Sequence, residues 1–495
     1  MTWALAVVCA VATVPAALRW LRVAQREHYL SPSVSRFAWR WWRNGPVNLA
    51  LFVTGIVGAL GTLWSVWPGF LVALAQIGPL GLSLKGRTST LGWTARLRRL
   101  AIAVGVMVLV VYLAGGLSRA PFIVVAGLAF LPLIFDLALT LLSPLERALG
   151  SKWVDRAREK LATVSPVVVA ITGSYGKTTT KGYVAHLLSG SRRVVASPAS
   201  FNNRLGLARA INENLVPGTE VFIAEMGTYG PGEIAEMCSW VTPTVGVIVS
   251  LGPVHLERFR SEERIVQAKS EILDRAQVGV ICVDHPLLAD LAAKRSRSMS
   301  ILEVSTGERG RVRIFGGRLI VDGSPIAEVP SGVFSANLAA AIGVCVALDV
   351  DLATVVPLLA GLPTPRHRQT VAVGESGVRI IDDTFNSNPE GAKRALGVLA
   401  GAGGGRKVLV TPGMVELGPV QAAQNEALAR EGSAIADHLV IVGATNRPAL
   451  LRGAAGGRAS VTVVDSREEA VAWVRANLGP GDAVLYENDL PDHYP

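Results

Sequence analysis

Five apolar runs fill the first 145 of the chain's 495 residues, at about 2–18, 47–65, 67–84, 100–117 and 121–143. Each approaches the roughly 20 residues that a helix needs to cross a bilayer. Hydrocarbon offers no partner to a backbone N–H or C=O, so such runs have to be helical. Trp67-Pro68-Gly69 alone separates the second run from the third and reads as a tight turn with an aromatic at the interface. Whether 47–84 makes two spans or a re-entrant hairpin, the chain returns to the same side. The first run is followed by basic LRWLRVAQREHYL and by no small-residue cleavage site, so it does not read as a signal peptide.

Arginine and lysine set the orientation. The loop 19–46 holds Arg19, Arg22, Arg26, Arg36, Arg40 and Arg43, and the loop 85–99 holds Lys85, Arg87, Arg96, Arg98 and Arg99. Both then face the cytoplasm, and five spans leave everything after residue 145 there too. Asp136, inside the fifth run, is costly in hydrocarbon and either carries a function or snorkels. The charged, amphipathic stretch 146–164 reads as a linker helix, either lying along the membrane surface or serving as a solvated connector.

The formal charge of +10 belongs to this part. Residues 1–160 carry 17 Lys/Arg against 5 Asp/Glu, a net of +12; the remainder carries 31 against 33, a net of −2. The body therefore has no polyanion footprint, and nucleic acid is not an expected partner. Cys9, Cys238, Cys282 and Cys345 lie far apart without a CxxC pair, which suggests neither disulfides nor a zinc site.

The body opens with VVVAITGSYGKTTTK, residues 167–181. A β-branched run, a glycine turn and a helical pattern together point backbone N–H groups at an anion. Gly173, Ser174, Tyr175, Gly176, Lys177, Thr178 and Thr179 form the expected phosphate cradle. Lys177 can reach the β- and γ-phosphates and Thr178 can hold Mg²⁺. The glycine usual five residues before the second one is Ile171 here. From 165 to about 330 apolar strands alternate with helices, with short antiparallel strands over 311–329. Residues 332–362 are helical. A second alternation has strands at about 378–382, 407–412, 438–443 and 460–465. GAGGG at 401–405 follows a helix, so it is a loop and not a dinucleotide fingerprint.

TGSYGKTTTK resembles the phosphate loop of the Mur ligases, ATP-dependent amide ligases of peptidoglycan synthesis that also lack that first glycine. The resemblance continues through FNNRLGLARAI (201–211), FIAEMGTYGPGEI (222–234), the segment 245–273, ANLAAAIGVCVAL (336–348) and IIDDTFNSNP (380–389). It implies nucleotide contacts at Asn203, Asn337, Arg368 and Asp383, with Asn386 and Asn388 alongside. It implies metal ligands at Glu225 and His255, and a carbamylated lysine at Lys269. The expected cofactors are ATP and two Mg²⁺. Lys177, Lys269, His255 and Arg368 would carry the catalysis. The family's usual histidine four residues before Asn337 is Val333 here. IDDTFNSNP and MVELG (414–418) are most similar to the D-Ala-D-Ala-adding branch.

Residue chemistry gives partial support of its own. A ligase must bring a carboxylate and a γ-phosphate together, which calls for Mg²⁺, a lysine and hard oxygen ligands. Glu225 ends the apolar run VFIAE and His255 follows VGVIVSLGPV, both at strand C-termini, where open α/β sheets place ligands. A lone histidine there is more often structural, and Lys269 alone reads as a solvated face. Asp383 ends VRII and suits ribose hydroxyls. Arg366 and Arg368 lie in a Pro-bounded loop that can enter the site when domains close.

The expected architecture is α/β: a multi-span α-helical membrane domain over 1–145, a linker at 146–164, a P-loop Mur-ligase central domain over 165–362 and a Rossmann-like C-terminal domain over 363–495. Mur ligases normally begin with a domain that grips a UDP-linked substrate, and nothing here resembles it. The expected acceptor is therefore a membrane-presented or lipid-linked cell-wall precursor, joined to an amino-acid or dipeptide donor at the inner membrane of a bacterium. At the far end a basic carboxylate-binding motif of the D-Ala-D-Ala-adding branch is replaced by Glu487, Asn488 and Asp489, which leaves the donor open. The alternatives are a membrane-bound poly-γ-glutamate-type ligase and a P-loop ATPase that energises transport.

Overall fold

The computed structural model describes residues 1–76, 78–84, 86, 90–198, 200–363, 370–374, 376–385 and 387–495. The N-terminal part is helical: α1 (Thr2–Arg26), α2 (Ser33–Trp42), α3 (Gly45–Gly61), α4 (Trp67–Ala75), α5 (Ala95–Leu117), α6 (Pro121–Ala129) and α7 (Leu131–Val164). Among the described residues, α1 and α5 alone are singly long and apolar enough to cross a membrane; counting the bent pairs α2–α3 (116°) and α6–α7 (72°) as broken spans gives up to four. Five straight spans are therefore not what forms. In the third run the helix stops at Ala75, ahead of Gly78, Pro79 and Gly81, which are poor helix formers. Nine residues reach about 13 Å, under half the hydrocarbon thickness. α4 instead packs back on α3, where Gly58 leaves room for Val72 and Gly61 for Pro68. The fifth run breaks at Phe130, ahead of Pro132 in the first turn of α7.

The stretch read as a separate linker is the second half of α7, which runs unbroken past residue 145. Val154, Ala157 and Leu161 face Leu207, Ala208 and Ile211 in the core of the next unit, and Lys160 Nζ donates to the Asn212 carbonyl at 2.7 Å. One apolar face thus packs on protein, while Leu149 and Trp153 on the same stretch stay exposed. Asp136 caps a helix: its carboxylate accepts from the N–H of Val34 (3.1 Å) and Ser35 (2.9 Å), in the first turn of α2. Large apolar side chains on the outer faces of α1, α3 and α5, among them Val11, Val57, Ile102 and Leu109, are exposed.

The central unit holds β1 (Val167–Thr172), β2 (Val194–Ala196), β3 (Val221–Glu225), β4 (Val245–Ile248), β5 (Val278–Cys282), β6 (Ser300–Ser305), β7 (Val312–Phe315), β8 (Arg318–Val321) and β9 (Ser324–Glu328). Their order is β2-β3-β1-β4-β5-β6-β7-β8-β9, parallel as far as β7 and antiparallel beyond. The helices α8 (Lys177–Leu188), α9 (Arg204–Asn214), α10 (Glu233–Cys238), α11 (Leu256–Phe259), α12 (Glu262–Ser270), α13 (Pro286–Arg295), α14 (Ser335–Ala347) and α15 (Leu352–Val355) accompany it. The continuous apolar reading of β1, β3 and β4 follows from burial on both faces.

The second sheet comprises β10 (Thr370–Val373), β11 (Arg379–Asp383), β12 (Lys407–Thr411), β13 (His438–Val442), β14 (Ser460–Val464) and β15 (Ala483–Glu487), in the order β10-β11-β15-β12-β13-β14. Only β10 is antiparallel. Helices α16 (Pro389–Ala400), α17 (Gln421–Ile435), α18 (Arg447–Ala454) and α19 (Arg467–Asn477) flank it. Four of these strands match the sequence expectation; β10 and β15 add an edge and a central strand. Beyond β15, residues 488–495 return to the N-terminal helices. Trp41 Nε1 donates to the His493 carbonyl (2.8 Å), Arg22 pairs with Asp492 (3.0 Å), and Tyr494 packs edge-on to Phe37.

Candidate active site

β1 lies between β3 and β4, so the loops leaving all three strands meet at one edge. The loop after β1 turns into α8 at Gly176, whose φ of 80° suits glycine. A Cβ there would also press on Asn337. The loop after β4 braces it: Ser174 N–H donates to the Ser250 carbonyl (3.0 Å), Tyr175 N–H to Ser250 Oγ (3.0 Å) and Tyr175 OH to the Leu251 carbonyl (2.9 Å). Lys177 Nζ folds over the loop and donates to the Gly173 carbonyl at 2.8 Å.

Glu225, 2 % exposed, meets this loop from the end of β3. Its Oε2 accepts from Thr178 Oγ1 (3.0 Å) and pairs with Lys181 (2.9 Å), while Oε1 accepts from Asn202 (3.2 Å). Burial opposes its charge, but Lys181, Lys177 and the Asn202 hydrogen bond outweigh that and hold its carboxyl below the usual range. A hydroxyl and a carboxylate oxygen side by side at a helix N-terminus fit one Mg²⁺ that completes its shell with phosphate oxygens and water. Lys269, at the end of α12, is also buried; desolvation first, then the charge of Lys177, pushes its ammonium well below the usual lysine range.

The structure thus gathers Lys177, Thr178 and Glu225 around one loop, with Lys269 within reach of the Lys177 charge. His255 points elsewhere. Its backbone is left-handed (φ 63°), its Nδ1 is hydrogen-bonded to Glu416 from the second sheet's unit, and its ring lies edge-on to Tyr229 at 5.1 Å. Among the described residues no group of three or more His, Cys, Asp or Glu is placed to hold a metal ion. Arg366, Arg368 and Asn386 lie outside the described residues.

Asn203 is the N-cap of α9, its side chain accepting from Gly206 N–H at 2.9 Å; the neighbouring Asn202 is the residue that reaches Glu225. Cap geometry turns one asparagine along its own helix and leaves the other free to face the site. Asn337 donates to the Gly176 carbonyl (2.8 Å) and to Thr180 Oγ1 (3.0 Å), so it holds the loop's shape. Asn337, Asp383 and Thr179 also line a cavity of about 280 Å³ between the two sheets, with Asp284, His285, Phe385 and Arg394. Glu487 does not face a donor: it is fully buried, accepts from Ser387 and from Thr411 Oγ1 (2.9 Å), and burial raises it to about 7. Asp489 pairs with Arg467 at 2.6 Å.

Sequence reasoning missed Lys181, Asn202 and Glu416. For Lys181 a signal existed: it lies four residues after Lys177 and three after Thr178, on one helical face. Glu416 approaches His255 only through tertiary folding.

A phosphate loop, a buried carboxylate on the neighbouring strand and a cavity closed by a second parallel sheet define a two-unit nucleotide-dependent enzyme. Residues 171–326 match the Mur ligase middle domain and residues 367–486 the Mur ligase glutamate ligase domain. A UDP-N-acetylmuramoyl-tripeptide--D-alanyl-D-alanine ligase of Mycobacterium leprae is 31% identical over 365 residues, covering 64% of this chain and 70% of that protein. The same enzyme of Synechocystis is 29% identical, covering 65% and 71%. Among solved structures, MurF from Acinetobacter baumannii superposes with a TM-score of 0.59 at 26% identity over 69% of this chain and 77% of its own. MurF from Thermotoga maritima, in complex with ADP, gives 0.58 at 28% over 69% and 80%. The chain belongs to the Mur ligase family and is an ATP-dependent ligase. The matched domains begin at residue 171, so α1–α7 lie outside them.

Proposed function

We propose that this chain forms an amide bond on a peptidoglycan precursor at the cytoplasmic face of a bacterial membrane, through an acyl phosphate. The observation that carries the reading is the cluster of Lys177, Thr178 and Glu225 at the phosphate loop of a Mur ligase fold. The precursor's carboxylate attacks the γ-phosphorus of ATP, ADP leaves, and an amine then displaces phosphate from the acyl carbon. Lys177 balances charge on the transferring phosphoryl group. Asp383 and the cavity residues would hold the nucleoside, and a phosphate contact from Arg368 is what the family resemblance implies. Mg²⁺ at Thr178 and Glu225 would screen the repulsion between carboxylate and phosphate. Glu225, held ionised by Lys181 and Asn202, is aimed to bind it. A second ion at His255 would require that histidine to leave Glu416. A carbamylated Lys269 would add a buried anion beside Lys177, visible as added CO2 mass by native mass spectrometry.

The exposed apolar faces of α1, α3 and α5 support a bilayer as partner. The relatives are named for a UDP-linked tripeptide and D-alanyl-D-alanine. A membrane-presented acceptor is supported by the helices that precede the matched domains. The test is ATP turnover by the detergent-solubilised chain with D-alanyl-D-alanine or L-glutamate and either the UDP-linked or the lipid-linked tripeptide, following ADP, phosphate and amide. ADP with a matching amount of amide is expected. ADP without amide would support an ATPase that drives transport, and faster use of the UDP-linked substrate would remove the case for a lipid-linked one.

A further inference from the structure

Two loops lead away from the phosphate loop. From Glu225 the chain runs four residues to Tyr229. The loop after β4, knitted to the phosphate loop through Ser250 and Leu251, ends at His255. The two rings meet edge to face at 5.1 Å. A third ring joins them from a different part of the molecule: His28, just past α1, stacks on Tyr229 at 5.3 Å and 28°. The Arg258 guanidinium lies 4.7 Å from the Tyr229 centroid on the way to Glu27, which it meets at 2.7 Å.

The corner that presents His28 is built with care. His28 and Tyr29 are both left-handed, at φ 57° and 60°, a conformation that non-glycine residues keep only where the surroundings over-determine it. Glu27 supplies that constraint: it is buried and accepts from Arg258 and from His493 Nε2 at 3.0 Å, tying the corner to both sheets' units. His28 itself remains exposed, as does Arg26 two residues before it. None of His28, Tyr229 and His255 lines the nucleotide cavity.

We propose that His28, supplied by the N-terminal helices, forms with Tyr229 an aromatic shelf that receives the acyl acceptor. The open face of His28, backed by Tyr229, takes the flat sugar or amide face of a carbohydrate-linked peptide, with Arg26 beside it for the molecule's negative charge, and the acceptor's carboxylate reaches past His255 toward the phosphate loop. The inference rests on the amide-ligase reading, and it makes the helical unit a wall of the site as well as an anchor.

The test uses the full chain in detergent with ATP, D-alanyl-D-alanine and both the UDP-linked and the lipid-linked N-acetylmuramoyl-tripeptide, with the acceptor KM read on whichever turns over faster. His28→Ala should raise the acceptor KM about three- to tenfold, the worth of one lost aromatic contact. It should leave kcat, the D-alanyl-D-alanine KM and the affinity for a fluorescent ADP unchanged. His28→Phe, which keeps the ring, should stay within about twofold of the unaltered chain. No amide from the unaltered chain sinks the ligase reading itself. Normal turnover with an unmoved acceptor KM in His28→Ala, or a rise in the donor KM instead, overturns the shelf alone. If His28→Ala also loses ADP binding, its fold is compromised, and Tyr229→Leu decides by the same KM criterion.

Discussion

Removing the Lys181 ammonium tests whether Glu225 is held as a charged ligand or merely packed. Lys181→Met deletes the cation 2.9 Å from Glu225 Oε2 and leaves a carboxylate that is 2 % exposed. Breaking a buried ion pair on one side costs about 3–5 kcal/mol. Here the loss should be smaller, about 2 kcal/mol, because Thr178 and Asn202 still donate to the carboxylate and Lys177 lies near. Glu225→Gln should cost a similar amount by stranding Lys181, which is buried as well. The double variant should cost much less than the sum, leaving a coupling of about 2 kcal/mol. A chain of several units does not unfold in one step, so a global transition is the wrong readout. Hydrogen exchange at the amides of β1 and β3, in the detergent-solubilised chain, reports the local opening free energy. The pair also predicts a pH dependence. The Glu225 pKa is depressed on folding, so its contribution is present above the ordinary carboxylate range and is lost as pH falls through the folded value. Lys181→Met should shift that loss to higher pH. Additive single losses, or an acid profile that Lys181→Met does not move, would refute the reasoning.

The remaining predictions concern the second unit and the asparagine pair. Glu487 is raised from 4.5 to about 7, so its burial favours the protonated form; stability is fully present below about 4.5 and falls by about 3 kcal/mol as pH rises through 7. Glu487→Gln should flatten that fall, read by exchange at β11 and β15, and should leave the donor KM unchanged, since the carboxylate faces Ser387 and Thr411. Asn203→Ala should cost about 1 kcal/mol at the start of α9 and spare nucleotide binding, as befits a cap. Asn202→Ala should do the reverse, weakening Mg²⁺-dependent ADP binding while α9 keeps its protection; like effects from both would contradict the assignment.

What the sequence reveals here is what local pattern dictates. The phosphate loop is legible because a β-branched strand, glycines and a helix start lie within fifteen residues, and each restricts the backbone on its own account. Glu225 is legible because an apolar run stops at it. The misreadings share one cause, which is tertiary context. Hydropathy marks 67–84 as one run, but it does not see that Gly78, Pro79 and Gly81 cost the helix its second half. It does not tell which stripe of 146–164 meets α9, because an apolar stripe looks the same whether it meets lipid or protein. Asn202 and Asn203 are equivalent on paper, and only the direction in which α9 leaves the loop separates them.

His255 shows the limit most sharply. A lone histidine past a buried strand is more often structural, and only Glu225 and Thr178 at equivalent strand edges favour a ligand role for it. The partner that takes it, Glu416, lies 161 residues on, in a unit with its own sheet. That pairing brings the central unit to the second one at the place where Glu27 and His493 bring the helices to both. A single interdomain junction thus holds a family-implied site residue, an ion pair from the helical unit and the segment beyond β15. Movement of either unit relative to the other has to break or carry along His255–Glu416, so the state of that pair is coupled to domain closure. Glu416→Ala, which removes the carboxylate from His255 Nδ1, should therefore loosen this junction, raising hydrogen exchange at α11 and in residues 414–418 together.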